Sequence, residues 1–381
     1  MAQWNRVPLI DYIELIGGGT PKTTVPEYWN GNIPWLSVKD FNNDKRYVYS
    51  TEKHISQSGF ENSPTKMLHK DDIIISARGT VGEIAMIPFD MAFNQSCYGI
   101  RASRGIDQPF LYYLLKNCIS QLKRMTHGSV FDTITRDTFA NIEVDIPDAE
   151  TQKRISSVLA DIDNKIEVND AINDNLHQQA ATLFKALFVD LTPFDGTMPP
   201  NWTISTLGDA TEMGAGGDKP KESSPVKTPL CPYPIYSNGI NDYGLYGYTN
   251  DPKIKVESVT VSARGTIGYV CLRHTPYVPI VRLVTLIPDT KVLSAKYLYL
   301  YLRQLHITGT GTTQQQLTVP DFRKTEIIIP DKNTMDSFTE TVTPLFEQIW
   351  ANEDENTKLA EVRDALLPKL MSGEIDVSDI Q

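Results

Sequence analysis

The sequence contains no Cys-x-x-Cys pair, no His-Glu-x-x-His helix motif and no Gly-x-x-x-x-Gly-Lys-Ser/Thr loop. Those absences set aside zinc ribbons, zinc-protease chemistry and P-loop nucleotide hydrolysis. Its four cysteines (Cys97, Cys118, Cys231 and Cys271) stand far apart and are expected to act as small buried hydrophobes. The six histidines are equally scattered, and no metal site is expected. No apolar run approaches the ~20 residues of a membrane span. The opening "MAQWNRVPLIDY" lacks a basic and then apolar leader, so the expected location is the cytoplasm.

Basic charge is also scarce, with a net of −11, which on its face argues against nucleic acid. Its distribution reverses that reading. Residues 150–190 carry −3 and residues 332–381 carry −7, whereas 191–331 carry +1. The acid is concentrated in two segments that read as helical. The remainder is near neutral and free to present a local basic face.

What is present is a repeat. "SARGTVG" at 76–82 returns as "SARGTIG" at 262–268, an offset of 186 residues. Other blocks recur in the same order. Trp4 lies over Trp202, and Gly18-Gly19 over Gly216-Gly217. "PFLYYLLKN" lies over "KYLYLYLRQ", and Pro147-Asp148 over Pro330-Asp331. Internal repetition at this scale defines the architecture. The organisation expected is 1–148, first domain; 149–190, first helix; 191–331, second domain; and 332–381, second helix and tail.

Both helical segments hold a heptad seam. The first runs Ile155, Leu159, Ile162, Ile166, Asn169, Asn173, Leu176, Ala180, Leu183, Leu187. The second runs from Phe338 through Asn352, Asn356 and Arg363 to Leu370. Such a pattern predicts a coiled-coil pair, with Asn169 and Asn173 facing Asn352 and Asn356 to set register. Two like halves related by a pseudo-twofold axis make the helices antiparallel, and about 54 Å of helix becomes a spacer. Within each half, short β-like runs alternate with turns and one aromatic helix. The expected class is α+β: two β-rich domains separated by two long antiparallel coiled-coil helices.

Candidate binding residues fall in loops. Arg78 and Thr80, with Arg264 and Thr266, sit at strand–turn–strand tips beside glycines, where an arginine can meet phosphate or guanine. "GGGTPKT" offers Thr20 and Lys22, and "GAGGDKPK" offers Lys219 and Lys221; such glycine runs are expected to expose amides to anions. Lys39, Asn94 and Gln95, with Ser129, Thr313 and Gln314 in polar loops ahead of the last strand of each half, complete the set. "MGAGGDKP" can also be taken for a methyl-donor loop, but no Asn/Asp-Pro-Pro-aromatic motif accompanies it. No catalytic constellation is found.

At this point "GGGTPKTTVPEYWNGNIPWLSVKD", "SARGTVG", "IPDAETQKRI" and "VRDALLPKLMSGEI" together resemble the specificity subunits of type I restriction–modification systems, over essentially the whole chain. The resemblance implies two target-recognition domains that each read half of a bipartite double-stranded DNA sequence. It implies helices that dock two adenine methyltransferase (modification) subunits and, with them, restriction motor-nuclease subunits. S-adenosylmethionine is then expected on the partner, with no cofactor or catalysis on this chain. The second domain departs from the Trp-rich first one, so different half-sites are expected. From composition alone an alternative stands: a coiled-coil adaptor whose repeated domains bind protein or sugar. Deleting 338–381 is expected to abolish assembly.

Overall fold

The computed structural model describes residues 4–126, 133–309 and 316–378. The chain divides into two compact units, Met1–Ala171 with Asn352–Gln381, and Ile172–Ala351. Each long helix is therefore shared between units, and each unit is described by itself.

The first unit contains β1 (Asn5–Pro8), β2 (Ile13–Gly17), β3 (Trp29–Leu36), β4 (Lys53–Ile55), β5 (Met67–Leu68), β6 (Ile73–Ser76), β7 (Ile84–Met86), β8 (Met91–Phe93), β9 (Cys97–Ala102) and β10 (Glu143–Ile146). Its helices are α1 (Gln57–Glu61), α2 (Gln108–Thr126) and α3 (Arg136–Ala140), and the start of α4 (Ala149–Phe184). The strands form sheets in the orders β2-β9-β6-β7 and β4-β3-β8-β5, with a separate β1-β10 ribbon. The run Ile73-Ile74-Ile75 shows why the two larger sheets adjoin. All three side chains are fully buried, Ile73 and Ile75 among the residues of α2 and Ile74 among Leu68, Met91 and Phe93. A strand covered on both faces reads as a continuous apolar run, and this one does.

The second unit repeats the plan with β11 (Thr203–Thr206), β12 (Thr211–Ala215), β13 (Ser223–Ser224), β14 (Tyr233–Tyr236), β15 (Leu245–Thr249), β16 (Ser258–Val261), β17 (Val270–Arg273), β18 (Val278–Pro279), β19 (Val284–Pro288) and β20 (Glu326–Ile329). Its short helices are α5 (Leu207–Ala210), α6 (Ala295–Gln304) and α7 (Val319–Phe322), and it holds the rest of α4 and the first part of α8 (Lys332–Met371). The order β12-β19-β16-β17 matches β2-β9-β6-β7 strand for strand, and β14 pairs parallel with β18 as β3 does with β8. Register matches too: Ile73 faces Ile100 in one unit and Val259 faces Leu286 in the other. The outer strands of the second sheet differ, and so does its core. Where the first unit has Ile74, the second has buried Thr260, which accepts a hydrogen bond from Arg273 Nε at 2.9 Å. That guanidinium lies 3.6 Å from the Tyr236 ring centroid.

Asp148 and Asp331 cap α4 and α8. Each accepts bonds from two backbone amides, at 3.1 and 2.9 Å for Asp148 and at 3.1 and 3.2 Å for Asp331. Hydrogen bonding to Thr151 and Thr334, chiefly, holds both carboxyls below their ordinary pKa. A depressed carboxyl stabilises the fold above its unfolded pKa, and the contribution is lost as pH falls through the folded value. The expected result for Asp331→Ala is a lowered urea midpoint at pH 7 and convergence with wild type below pH 4. A penalty that persists unchanged in acid would show that the carboxylate charge is irrelevant.

Within the first unit, Asp163 meets Arg363 and Asn169 meets Asn356 at 2.9 Å each, so α4 and α8 run antiparallel there. Within the second, Asn173 donates to the Ile349 carbonyl at 3.3 Å, and His177 and Phe184 meet Phe346 and Phe338 edge to face. That segment is antiparallel as well. Asn169, Asn173 and Asn352 are buried, as the seam predicts. The seam then departs from the heptad count. Leu183 is 37% exposed, while Ala180, Phe184 and Phe188 are buried. A step of four replaces a step of three, and the turn Lys185–Val189 is a π-helix that carries Phe188 onto Trp202, Tyr297 and Phe338. Packing of large aromatic rings outweighs the strict repeat at that end.

Candidate nucleic-acid interface

In the first unit the loops predicted to bind are joined at one end of the β2-β9-β6-β7 sheet. The Arg-Gly tip between β6 and β7 turns at Gly79 and Gly82, with φ of 81° and 86°, a region that favours glycine. Ser76 fastens its base, donating from its hydroxyl to the Thr80 carbonyl at 2.5 Å and accepting from the Glu83 amide at 2.8 Å. The amides of Ala77 and Arg78 both donate to the Ser96 carbonyl, at 2.8 and 3.2 Å. Ser96 belongs to the turn of Asn94 and Gln95, and the Gln95 side chain accepts from the Thr20 hydroxyl. Thr20, Asn94, Gln95, Arg78 and Thr80 are thus brought together. Arg78, Thr80 and Gln95 are exposed, whereas Asn94 turns inward and caps the Ser96 amide at 3.0 Å.

Arg78 and Lys22 are exposed, and neither has an acidic partner within 4.0 Å among the described residues. Lys39 differs: its ammonium sits 3.9 Å from Glu52 across open solvent. Such a pair is worth roughly 0–1 kcal/mol and yields readily to a phosphate.

In the second unit the equivalent tip turns at Gly265 and Gly268, with φ of 68° and 84°. Thr266 is exposed, but Arg264 is half-buried and donates to the Gln316 side chain at 3.2 Å, while its Nε is buried without a partner among the described residues. The two arginines are therefore alike in sequence and unlike in presentation. Lys219 lies 5.1 Å from the ring centre of Tyr246, and Lys221 is exposed. Ser129, Thr313 and Gln314 lie outside the described residues.

Two amides of the glycine runs are already committed to protein carbonyls. The amide of Gly19 donates to Phe93 and that of Gly216 to Leu283. A Cβ on Gly18 would meet the Asn94 carbonyl oxygen at 2.1 Å, and one on Gly216 the Ile280 backbone at 2.7 Å. Gly18 and Gly216 let two backbones approach, and the Gly19 and Gly216 amides are consumed by protein carbonyls.

Sequence reasoning missed Asn238, Val281 and Arg282. Asn238 Oδ1 accepts the Ala263 amide at 2.7 Å, replacing the Ser96 carbonyl of the first unit, and its Nδ2 donates to the Val281 carbonyl at 2.7 Å. Val281 and Arg282 hold φ of 52° and 61°. Left-handed backbone costs a non-glycine residue roughly 1–2 kcal/mol, and more for a β-branched one. "VPIVRLVTL" reads as strand; the offset of 186, which places Val281 and Arg282 over Gln95 and Ser96, was the available signal.

Three cysteines are buried, and burial pushes the Cys97 and Cys118 thiols up to about 12 and about 11, so they stay protonated at neutral pH. Cys231 is only half-buried, in a loop of the second unit, against the expectation of a core position. No helix is long and apolar enough to cross a membrane, among the described residues.

Comparisons with known proteins converge on one family. The chain is 28% identical to the type I restriction enzyme MjaIX specificity subunit of Methanocaldococcus jannaschii, covering 99% of this chain and 94% of that protein. It is 26% identical to the HindI specificity subunit of Haemophilus influenzae, over 70% of this chain and 77% of that one. Among solved structures, the type I restriction–modification S subunit from M. genitalium has the same fold, with a TM-score of 0.58 over 97% of this chain and 96% of that chain at 15% identity. The type I restriction modification DNA specificity domain matches residues 1–178 and again 199–361, so the chain belongs to the family of type I restriction–modification specificity subunits.

Proposed function

We propose that this chain directs a type I restriction–modification complex to its DNA, each sheet-rich domain reading one half of a bipartite sequence and performing no chemistry itself. The observation that carries this reading is the duplicated loop cluster. The same strand order ends twice in an Arg-Gly tip, and the first copy holds, beside Thr20 and Gln95, an exposed arginine without an acidic partner among the described residues. Phosphate contacts supply affinity and base edges supply sequence. The clusters differ in composition, so the two half-sites differ.

Two modification subunits, carrying S-adenosylmethionine, would dock on the helices, with the motor-nuclease subunits added to them. Exposed Val168 and Val362, on α4 and α8 of the first unit, are surfaces suited to a protein partner. Deleting 338–381 is a poor test of this docking. It removes Leu367, Leu370 and Met371, which are buried in the first unit's own core, so lost assembly would report unfolding. The adaptor alternative has no support in the family to which the chain belongs.

The test is domain exchange. Replacing residues 191–331 with the second domain of another specificity subunit should change one half of the methylated sequence and leave the other intact. A change in both halves, or in neither, would sink the assignment of one half-site to each domain.

A further inference from the structure

The turn at Val281–Arg282 has a recognisable counterpart in the first unit. In both, a backbone bond closes four residues immediately before the strand that pairs with the Arg-Gly strand: Cys97 amide to Asn94 carbonyl at 3.3 Å, and Leu283 amide to Ile280 carbonyl at 3.0 Å. The central residues are Gln95-Ser96 in one and Val281-Arg282 in the other. Only the second pair is left-handed, with positive φ at both positions. A turn of that kind is satisfied by Asn-Gly, and a β-branched residue is the least suited to it.

The surroundings hold the turn in place. Val281 and Arg282 donate their amides to Gly217 and Gly216 at 2.9 and 2.8 Å, and Asn238 takes the Val281 carbonyl at 2.7 Å. A second left-handed pair, Asp242 and Tyr243, follows in the same loop as Asn238, with Arg273 bonded to the Tyr243 carbonyl at 2.7 Å. The side chains so presented face solvent. Val281 is 48% exposed, Tyr243 55%, and Arg282 is exposed with no ion-pair partner among the described residues. Strained backbone that displays exposed side chains, as at Val281 and Arg282, marks a functional position rather than a structural one.

We propose that Val281 and Arg282 are sequence-reading residues of the second domain, Arg282 addressing the O6/N7 edge of a guanine and Val281 the methyl group of an adjacent thymine. These are the contacts that a guanidinium and an aliphatic side chain make in a major groove. The inference rests on the two-reader proposal, and it places Gln95, suited to adenine, at the same post in the first domain.

The experiment expresses the full chain with its methyltransferase in cells and maps methylated sites for three forms: wild type, Val281→Asn with Arg282→Gly, and Arg282→Lys. Asn-Gly relaxes the turn, so the double variant should melt several degrees higher while its second half-site becomes degenerate at one or two bases and the first half-site is unchanged. Arg282→Lys, which keeps the charge but not the bidentate fork, should lose about 10- to 100-fold discrimination at one guanine. A stable double variant, or Arg282→Lys alone if the double variant fails to fold, that methylates the wild-type sequence with undiminished discrimination overturns the assignment. If wild type itself yields no bipartite sequence, the two-reader proposal falls and this inference with it.

Discussion

Asp163→Ala will destabilise the first unit by about 1–3 kcal/mol, because it leaves a buried guanidinium N–H and the Tyr113 hydroxyl without the acceptor they share. Arg363 and Asp163 have side chains only 4% and 5% exposed and meet at 2.9 Å. Around them the network is complete. Tyr113 donates to Asp163 at 2.6 Å, and Arg363 also reaches Asp44 and Asp364 at 3.0 and 2.9 Å. Burial by itself would lower the Arg363 pKa. Its hydrogen bonds to Asp364 and Asp163 outweigh that and raise it. The network ties α4, α8, α2 and the Asp44 loop together, which is why the loss is large.

Amide hydrogen exchange reads the effect with an internal control: protection of Ile73–Ser76 should fall sharply while that of Ser258–Val261 is retained. The apolar pair Asp163→Leu with Arg363→Met should recover most of the loss, since packed hydrophobes replace a buried ion pair with little penalty. Protection of Ile73–Ser76 changed by less than about 1 kcal/mol in Asp163→Ala would mean that the pair contributes no more than a surface bridge does.

Arg78→Ala has the opposite profile, a large loss of binding with no loss of stability. Its side chain is exposed at a tip whose shape is fixed by Gly79, Gly82 and Ser76, so truncation should move stability by less than about 0.5 kcal/mol. Among the described residues its guanidinium has no acidic partner to leave behind. Affinity of the assembled complex for its target should fall about 10- to 100-fold if Arg78 reads a base, with relaxed sequence preference in the first half-site. Arg264→Ala should differ, because Arg264 is half-buried and bonded to Gln316. It should lower thermal stability as well as binding. Equal behaviour of the two variants, or unchanged affinity for Arg78→Ala, would refute this reading of the tips.

Much of this organisation is legible in the sequence because it is repeated. The offset of 186 aligns β6 with β16 and β9 with β19 residue for residue. Turn glycines, caps at Asp148 and Asp331 and the Asn positions of the helices follow from local chemistry, which a sequence records directly. What is not legible depends on tertiary partners. The destination of the Gly19 and Gly216 amides cannot be read from a glycine run, since the carbonyls that take them come from distant strands. Leu183 fits a heptad but loses its buried place to Phe184, because ring packing against Tyr297 and Phe338 was invisible to counting. Val281-Arg282 contradicts propensity outright, and a conformation imposed by Gly216, Gly217 and Asn238 leaves no local mark.

The central claim is that one chain carries two independent DNA readers. Single-molecule sequencing of DNA from cells that express this chain with the methyltransferase proposed to dock on it tests it most directly. The account predicts N6-methyladenine on both strands of a sequence with two specified, unlike halves and an unspecified gap of fixed length. Methylation at a single undivided sequence, or none despite a stable complex with the methyltransferase, would contradict it.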